Sequence, residues 1–356
     1  MKTRITALAL SLAAAPFAHA DKLNVPADFA TIQAAVDAAN PGDKIIVQAG
    51  KYDDVDVIGV DDLEIRGKGK VIIDAAGFGN ALNVTNCTEI RLKNLKMMNG
   101  VNGVLVSLSS DVVIDKCVVK DSSSVGVLFN NSSAAKLVDS KVRSAPFGVQ
   151  TTDSIGCLID SCSIEDTSTA ITLKGSLHTA KGNQIDGVAE HGIRVGTDMD
   201  PATGCLVLDN VIENAGNDGI FVNGGSNDIS ILDNVVKNSS DDGIYTAHNS
   251  TGHLIDGNAV RQVNSTGIMV GSDQTVASRN VVKKSASYGL LVQGTADDGM
   301  FQDNRVKKSG LDGIRVSSGG HAFIDNVSAQ NVEFDLQDSV FVANTYVGNE
   351  FGTMDI

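Results

Sequence analysis

The chain has 356 residues, a formal net charge of −15, 36 glycines, five prolines, no tryptophan and 4% aromatic residues. So acidic a balance excludes nucleic acid and anionic membrane as main partners, and disfavours a polyanion unless a local basic patch or a bound cation overrides it. The shortage of aromatics argues against a conventional large core, to which Phe, Tyr and Trp usually contribute much of the buried area.

At the start of the chain, Lys2 and Arg4 precede an apolar run from Ile5 to Phe17, and Ala18-His19-Ala20 gives a small-x-small pattern before Asp21. That is the pattern of a secretory leader, too short to span a membrane. The expectation is export to a periplasm or the medium, with residues 1–20 removed and no membrane insertion. Residues 21–60 are expected to form an N-terminal cap. Phe29, Ile32, Ala35, Val36 and Ala39 fall on one helical face, Pro41-Gly42 stops the helix, and a strand follows over residues 44–48.

Residues 61–356 are dominated by a repeat. Leu208-Asp-Asn-Val-Ile-Glu-Asn-Ala-Gly-Asn-Asp-Gly-Ile-Phe-Val222 and Leu232-Asp-Asn-Val-Val-Lys-Asn-Ser-Ser-Asp-Asp-Gly-Ile-Tyr-Thr246 are copies of one unit. An Asn precedes a Gly by nine positions at Asn94, Asn183, Asn210, Asn234, Asn258, Asn280 and Asn304. Weaker copies place Lys116, Ser140 and Ser161 at the Asn position. Short alternating apolar runs separated by Gly, Asn, Asp and Ser read as strands and turns. Units of this kind stack into a parallel β-helix, an all-β solenoid of about 11 rungs. Stacked Asn side chains can bond one another along such a rod. The Gly column marks a position where a side chain would clash or where φ must be positive.

Phe29-Ala-Thr-Ile-Gln-Ala-Ala-Val-Asp-Ala-Ala39 with Gly42-Asp-Lys-Ile-Ile-Val-Gln-Ala-Gly-Lys-Tyr52 resembles the N-terminal cap of pectin-lyase-like right-handed β-helix proteins. The Asn and Gly-Ile units resemble that superfamily's generic parallel β-helix repeat. The resemblance implies a right-handed parallel β-helix with a short capping helix. Its functional range includes lyases, hydrolases, esterases, epimerases, adhesins and copper-maturation accessory proteins. The Asp-Pro-His-Asp of the alginate epimerases is absent: the corresponding stretches are Arg194-Val-Gly-Thr, Phe221-Val-Asn-Gly, Tyr245-Thr-Ala-His and Arg315-Val-Ser-Ser. The paired Asp motifs of pectin methylesterases are absent too, and no Cys/Met/His cluster suggests copper.

Column arithmetic supplies the candidate site. The position two after each Gly faces outward, and beside an insertion at residues 196–204 it brings Arg194, Phe221 and Tyr245 near His191, Asp218, Asp242 and His248. Asp198, Asp200, Asp218 and Asp242 are candidate ligands for Ca2+, which would let an acidic protein grip a uronate. Arg194, His191, Tyr245 and His248 are candidates for proton abstraction beside a carboxylate. Phe221 and a stacked ribbon of Lys237, Arg261, Lys283 and Lys307 are candidates for substrate binding. Against this, Asp before Gly is an ordinary turn residue and a charged ribbon is an ordinary solvated face. The five Cys have no metal-ligand spacing and read mainly as small buried hydrophobes, with one disulfide as the alternative. The function expected is a monomeric binder or processor of an acidic polysaccharide; the alternative is a non-catalytic scaffold or accessory module.

Overall fold

The computed structural model describes residues 20–340 and 343–356; the expected secretory leader, apart from Ala20, lies outside the described residues. Most strands are three residues long, because each turn of chain alternates only once or twice before a Gly, Asn or Asp bends it. Their central or flanking apolar residues point inward, as in Val113–Asp115 and Ile220–Val222.

Parallel pairing joins each strand to the one a full turn later, and three ladders result. The first runs from Lys22–Val25 through Val113–Asp115 and Leu206–Leu208 to Thr345–Val347. The second passes through Val118–Lys120 and Val211–Glu213 to Glu350–Phe351. The third starts at Val55–Ile58 and passes through Ile193–Val195 to Met354–Asp355. The three inner faces enclose one continuous core of Ile, Val, Leu and Ala. The helix Ile32–Ala38 lies over its first turn with Ile32, Ala35 and Val36 buried, and its N-cap Thr31 accepts from Ala34 N at 3.1 Å.

The solenoid has about 15 turns rather than the 11 expected. The turns before Gly103 and after Gly313 pair in the same ladders without a Gly-Ile to mark them. The weak copies also change register. The residues stacked below Asn183 are Cys162, Ser140, Cys117 and Leu95, all buried. Asn94, Lys116 and Ser161 instead hold the left-handed position just before that column, at φ 54°, 53° and 56°. Asp209, Asp233, Asp303 and Asp325 occupy the same position in the strong copies, so the acid before the Asn is a turn residue. All five cysteines are buried and free.

The Asn column solves a backbone problem. Each turn leaves an N–H facing the interior at this corner, and the next Asn accepts it. Asn234 N donates to Asn258 Oδ1 at 2.9 Å, while Asn258 Nδ2 donates to Ile231 O at 2.8 Å and to Asn280 Oδ1 at 3.0 Å. The Gly column is steric: none of its members has positive φ, and a Cβ on Gly243 would stand 2.5 Å from Gly267 O. A second corner uses imidazoles. His178, His253 and His321 accept through Nδ1 from Cys157 N, Ile229 N and Gly299 N at 3.1, 3.2 and 3.0 Å.

Two predictions follow from these corners. Asn258→Ala should cost roughly 2–4 kcal/mol in urea unfolding, because it orphans buried donors and acceptors on both neighbouring turns; a loss under about 0.5 kcal/mol would contradict the ladder's role. Burial pushes His253 down to about 4, and its Nδ1 is already occupied by the backbone. The unfolded chain therefore binds a proton that the folded chain refuses between an unfolded value of about 6.5 and the folded value, so stability should fall by up to about 3 kcal/mol as pH drops through that window. His253→Asn keeps an acceptor without the titration and should flatten that part of the pH–stability curve.

Candidate functional site

The register fixes the outward residues of the third face. Ile193, Ile220 and Ile244 point inward, so Arg194, Phe221 and Tyr245 stand in direct register outside. Phe221 stacks on His191 at 5.0 Å between ring centroids and on Tyr245 at 5.3 Å. The Arg194 guanidinium lies 5.7 Å from the Phe221 centroid, and its Nη2 donates to Asn223 Oδ1 at 3.0 Å. Asn223 Nδ2 in turn donates to Asp198 Oδ1 at 2.5 Å.

This relay ties the insertion to the face. Ala202-Thr203 pairs with Gly175-Ser176 outside the three ladders, and Ala202 N donates to Ser226 Oγ at 3.1 Å. Between the insertion and the following turns lies an open cleft of about 450 Å³, lined by Asp198, Phe221, Asn223, Tyr245, His248 and Asn249 among others. The structure thus brings Asp198, Phe221, Tyr245 and His248, candidates for different roles, into one groove, with Arg194 bonded to its wall.

The other candidates lie at the corner between the second and third faces. His191 Nδ1 approaches Asp218 Oδ2 at 3.3 Å without hydrogen-bond geometry, and both side chains are nearly buried. Asp218 Oδ1 accepts from Asp242 N at 3.1 Å, and Asp242 Oδ1 accepts from Thr266 N at 2.8 Å. The turn role weighed for these two acids is therefore real. Burial, with Asp218 and Asp241 adding repulsion, holds Asp242 up at about 6.

The expected metal quartet is split. Oxygens of Asp218, Asp241 and Asp242 lie within 4.8 Å of one another and could hold a divalent cation. Asp198 is engaged by Asn223, and Asp200 pairs with Lys174 Nζ at 3.4 Å, because the insertion folds over the cleft rather than over the corner. Lys237, Arg261, Lys283 and Lys307 are in register on the second face, outside the cleft. Asn223, Asp241 and Lys174 were missed. None belongs to a regular column of chemical interest; Asn223 could have been found as the first residue after the Arg194–Phe221–Tyr245 strands that faces the insertion.

A family model for the right handed beta helix region matches residues 80–260 and 169–331, and the chain belongs to that family. Among solved structures, the Azotobacter vinelandii mannuronan C-5 epimerase AlgE6 A-module is similar with a TM-score of 0.67 at 14% identity, covering 90% of this chain and 93% of that one. The alginate lyase AlyF-OU02 gives 0.66 at 11% identity, covering 92% and 88%. The Siphovirus 9NA tailspike receptor binding domain gives 0.63 at 12% identity, covering 94% and 75%. At such identities the likeness is one of fold. No curated protein sequence matches significantly.

Burial, with the charges of Asp242 and Asp218, raises the Tyr245 phenol above its ordinary value. The ultraviolet difference between the parent protein and Tyr245→Phe should therefore titrate with a midpoint above the ordinary tyrosine value of about 10. Asp242→Asn should bring it back toward that value; ionisation at or below 10 in the parent would contradict the geometry.

Proposed function

We propose that the protein binds a linear acidic polysaccharide along the third face, through the cleft between the insertion and Phe221, Tyr245 and His248. The observation that carries this reading is the ring stack of His191, Phe221 and Tyr245 at the repeat of the solenoid, with Arg194 beside it and a cleft over it. Aromatic rings offer an apolar floor with few rotamers to freeze, and a guanidinium pairs with a carboxylate in a fork. The fold neighbours named for work on mannuronan and alginate support the same class of ligand. The leader-like residues 1–20 support export to a periplasm or the medium, where such polymers are met. We further infer that the protein acts as a monomer.

Processing by a lyase- or epimerase-like step is favoured by three groups at one place. Arg194 would neutralise the uronate carboxylate and so make the proton on the adjacent carbon removable. His248, exposed in the cleft, would accept that proton. Tyr245, held protonated by its surroundings, suits the donor's role: to the departing oxygen in elimination, or to the opposite face of the same carbon in epimerisation. A divalent cation at Asp218, Asp241 and Asp242 would add positive charge at the neighbouring corner.

The test is a panel of polymannuronate, polyguluronate and polygalacturonate, with and without Ca2+. Retention on the immobilised polymer and the ultraviolet absorbance of unsaturated products are both recorded. Arg194→Ala should weaken retention about tenfold or more, equivalent to about 1.4 kcal/mol. Tyr245→Phe should leave retention near the parent value and abolish any product. Retention indifferent to both Arg194→Ala and Phe221→Ala would remove the cleft from the account. No retention and no product on any polymer would leave the scaffold reading.

A further inference from the structure

On the second face, Lys237, Arg261, Lys283 and Lys307 stack in register over four consecutive turns. Arg305 stands at the other end of the strand that carries Lys307, and Lys284 and Lys308 extend the patch at the adjoining turns. Lys237 is tied to Glu213 Oε1 at 2.6 Å. Among the described residues, no ion pair engages Arg261, Lys283, Lys284, Arg305, Lys307 or Lys308.

The column has a defined start. One turn back from Lys237 it becomes acidic, through Glu213, Asp186 and Glu165. Beside Lys237, Arg261 and Lys283 runs a half-buried, uncharged column of Val235, Ala259 and Val281, which ends at Arg305 beside Lys307. Like charges stacked on neighbouring strands repel. Lys284 and Lys308 also hold a left-handed backbone, at φ 62° each, where earlier turns use Asn214 and Asn238. A chain of net charge −15 therefore maintains, against both costs, a basic strip in which, among the described residues, only Lys237 is ion-paired.

We propose that this strip is a second, non-catalytic anchoring track for a linear polysaccharide bearing one anionic group per sugar. The strip is one residue wide and repeats at about 4.8 Å, close to the length of one pyranose unit in an extended chain. That suits a single strand of evenly spaced carboxylates better than a flat membrane. The Val and Ala column gives the sugar's apolar faces a floor. Between this face and the cleft the corner carries Asp218, Asp241, Asp242 and Asp312. The track lies on the second ladder and the cleft on the third, so each takes its own stretch of polymer. The proposal rests on the proposed function only for the polymer's identity, and separate variants test the two.

The probes are a polyguluronate oligomer and, as competing surface, vesicles of phosphatidylglycerol. Binding to the full mature protein is measured by calorimetry at several salt concentrations. The Arg261→Gln/Lys283→Gln/Lys307→Gln variant, altered only at outward positions, should lose at least tenfold in affinity at low salt. Its log–log salt slope should flatten by about 2, while Lys136→Gln, an exposed cation on the first face, keeps the parent affinity and slope. The single variants Lys283→Gln and Lys307→Gln give smaller losses in the same direction and stand in if the triple variant fails to fold. Unchanged affinity and slope in the glutamine variants would overturn the track. Binding to vesicles in preference to the oligomer would also overturn it.

Discussion

Everything in this molecule depends on parallel stacking in strict register. A strand of three residues can bury at most two side chains and can make few ladder bonds, so no single turn is stable alone. Stability comes from repetition, and repetition holds only where the corners let the chain bend without leaving interior N–H groups unpaired. The Asn run from Asn183 to Asn349 and the imidazoles of His178, His253 and His321 meet that need on two different corners. Cysteine and serine take over at Cys117, Ser140 and Cys162, so two of the five buried, free thiols stand in this column.

The same constraint decides where chemistry can sit. Inward positions are committed to the core and corner positions to turns, so freedom remains only on outward columns and in insertions. The cleft arises where an outward column of Arg194, Phe221 and Tyr245 meets the insertion at residues 196–204. The acids at the neighbouring corner serve both demands. Asp218 and Asp242 accept turn N–H groups while buried, and that burial, with the nearby charges of Asp218 and Asp241 adding to it, holds Asp242 up at about 6.

The register also turns a linear sequence into separate surfaces. Residues a few positions apart in one unit lie on different faces, while residues 22 to 27 apart touch. Lys237 and Tyr245 are close in sequence, yet they belong to the second and third ladders. The candidate functions divide accordingly between a cleft with rings and one arginine and a strip of unpaired cations.

By itself the sequence determined the repeat, the outward and inward assignment of each column and the buried fate of Asn, Gly and Cys, because period-two strands in register leave side chains no other choice. It also placed Arg194, Phe221, Tyr245, His191 and Asp218 together, since column arithmetic is already three-dimensional in a solenoid. Only the tertiary structure decided what lies off the columns. The path of residues 196–204 sends Asp198 to Asn223 and Asp200 to Lys174, away from Asp218 and Asp242, through side-chain bonds that no repeat encodes. The one-residue shift that puts Leu95 and Cys162, rather than Asn94 and Ser161, beneath the Asn ladder was likewise hidden, because the length of a turn can change by one residue without changing the pairing of the strands beside it.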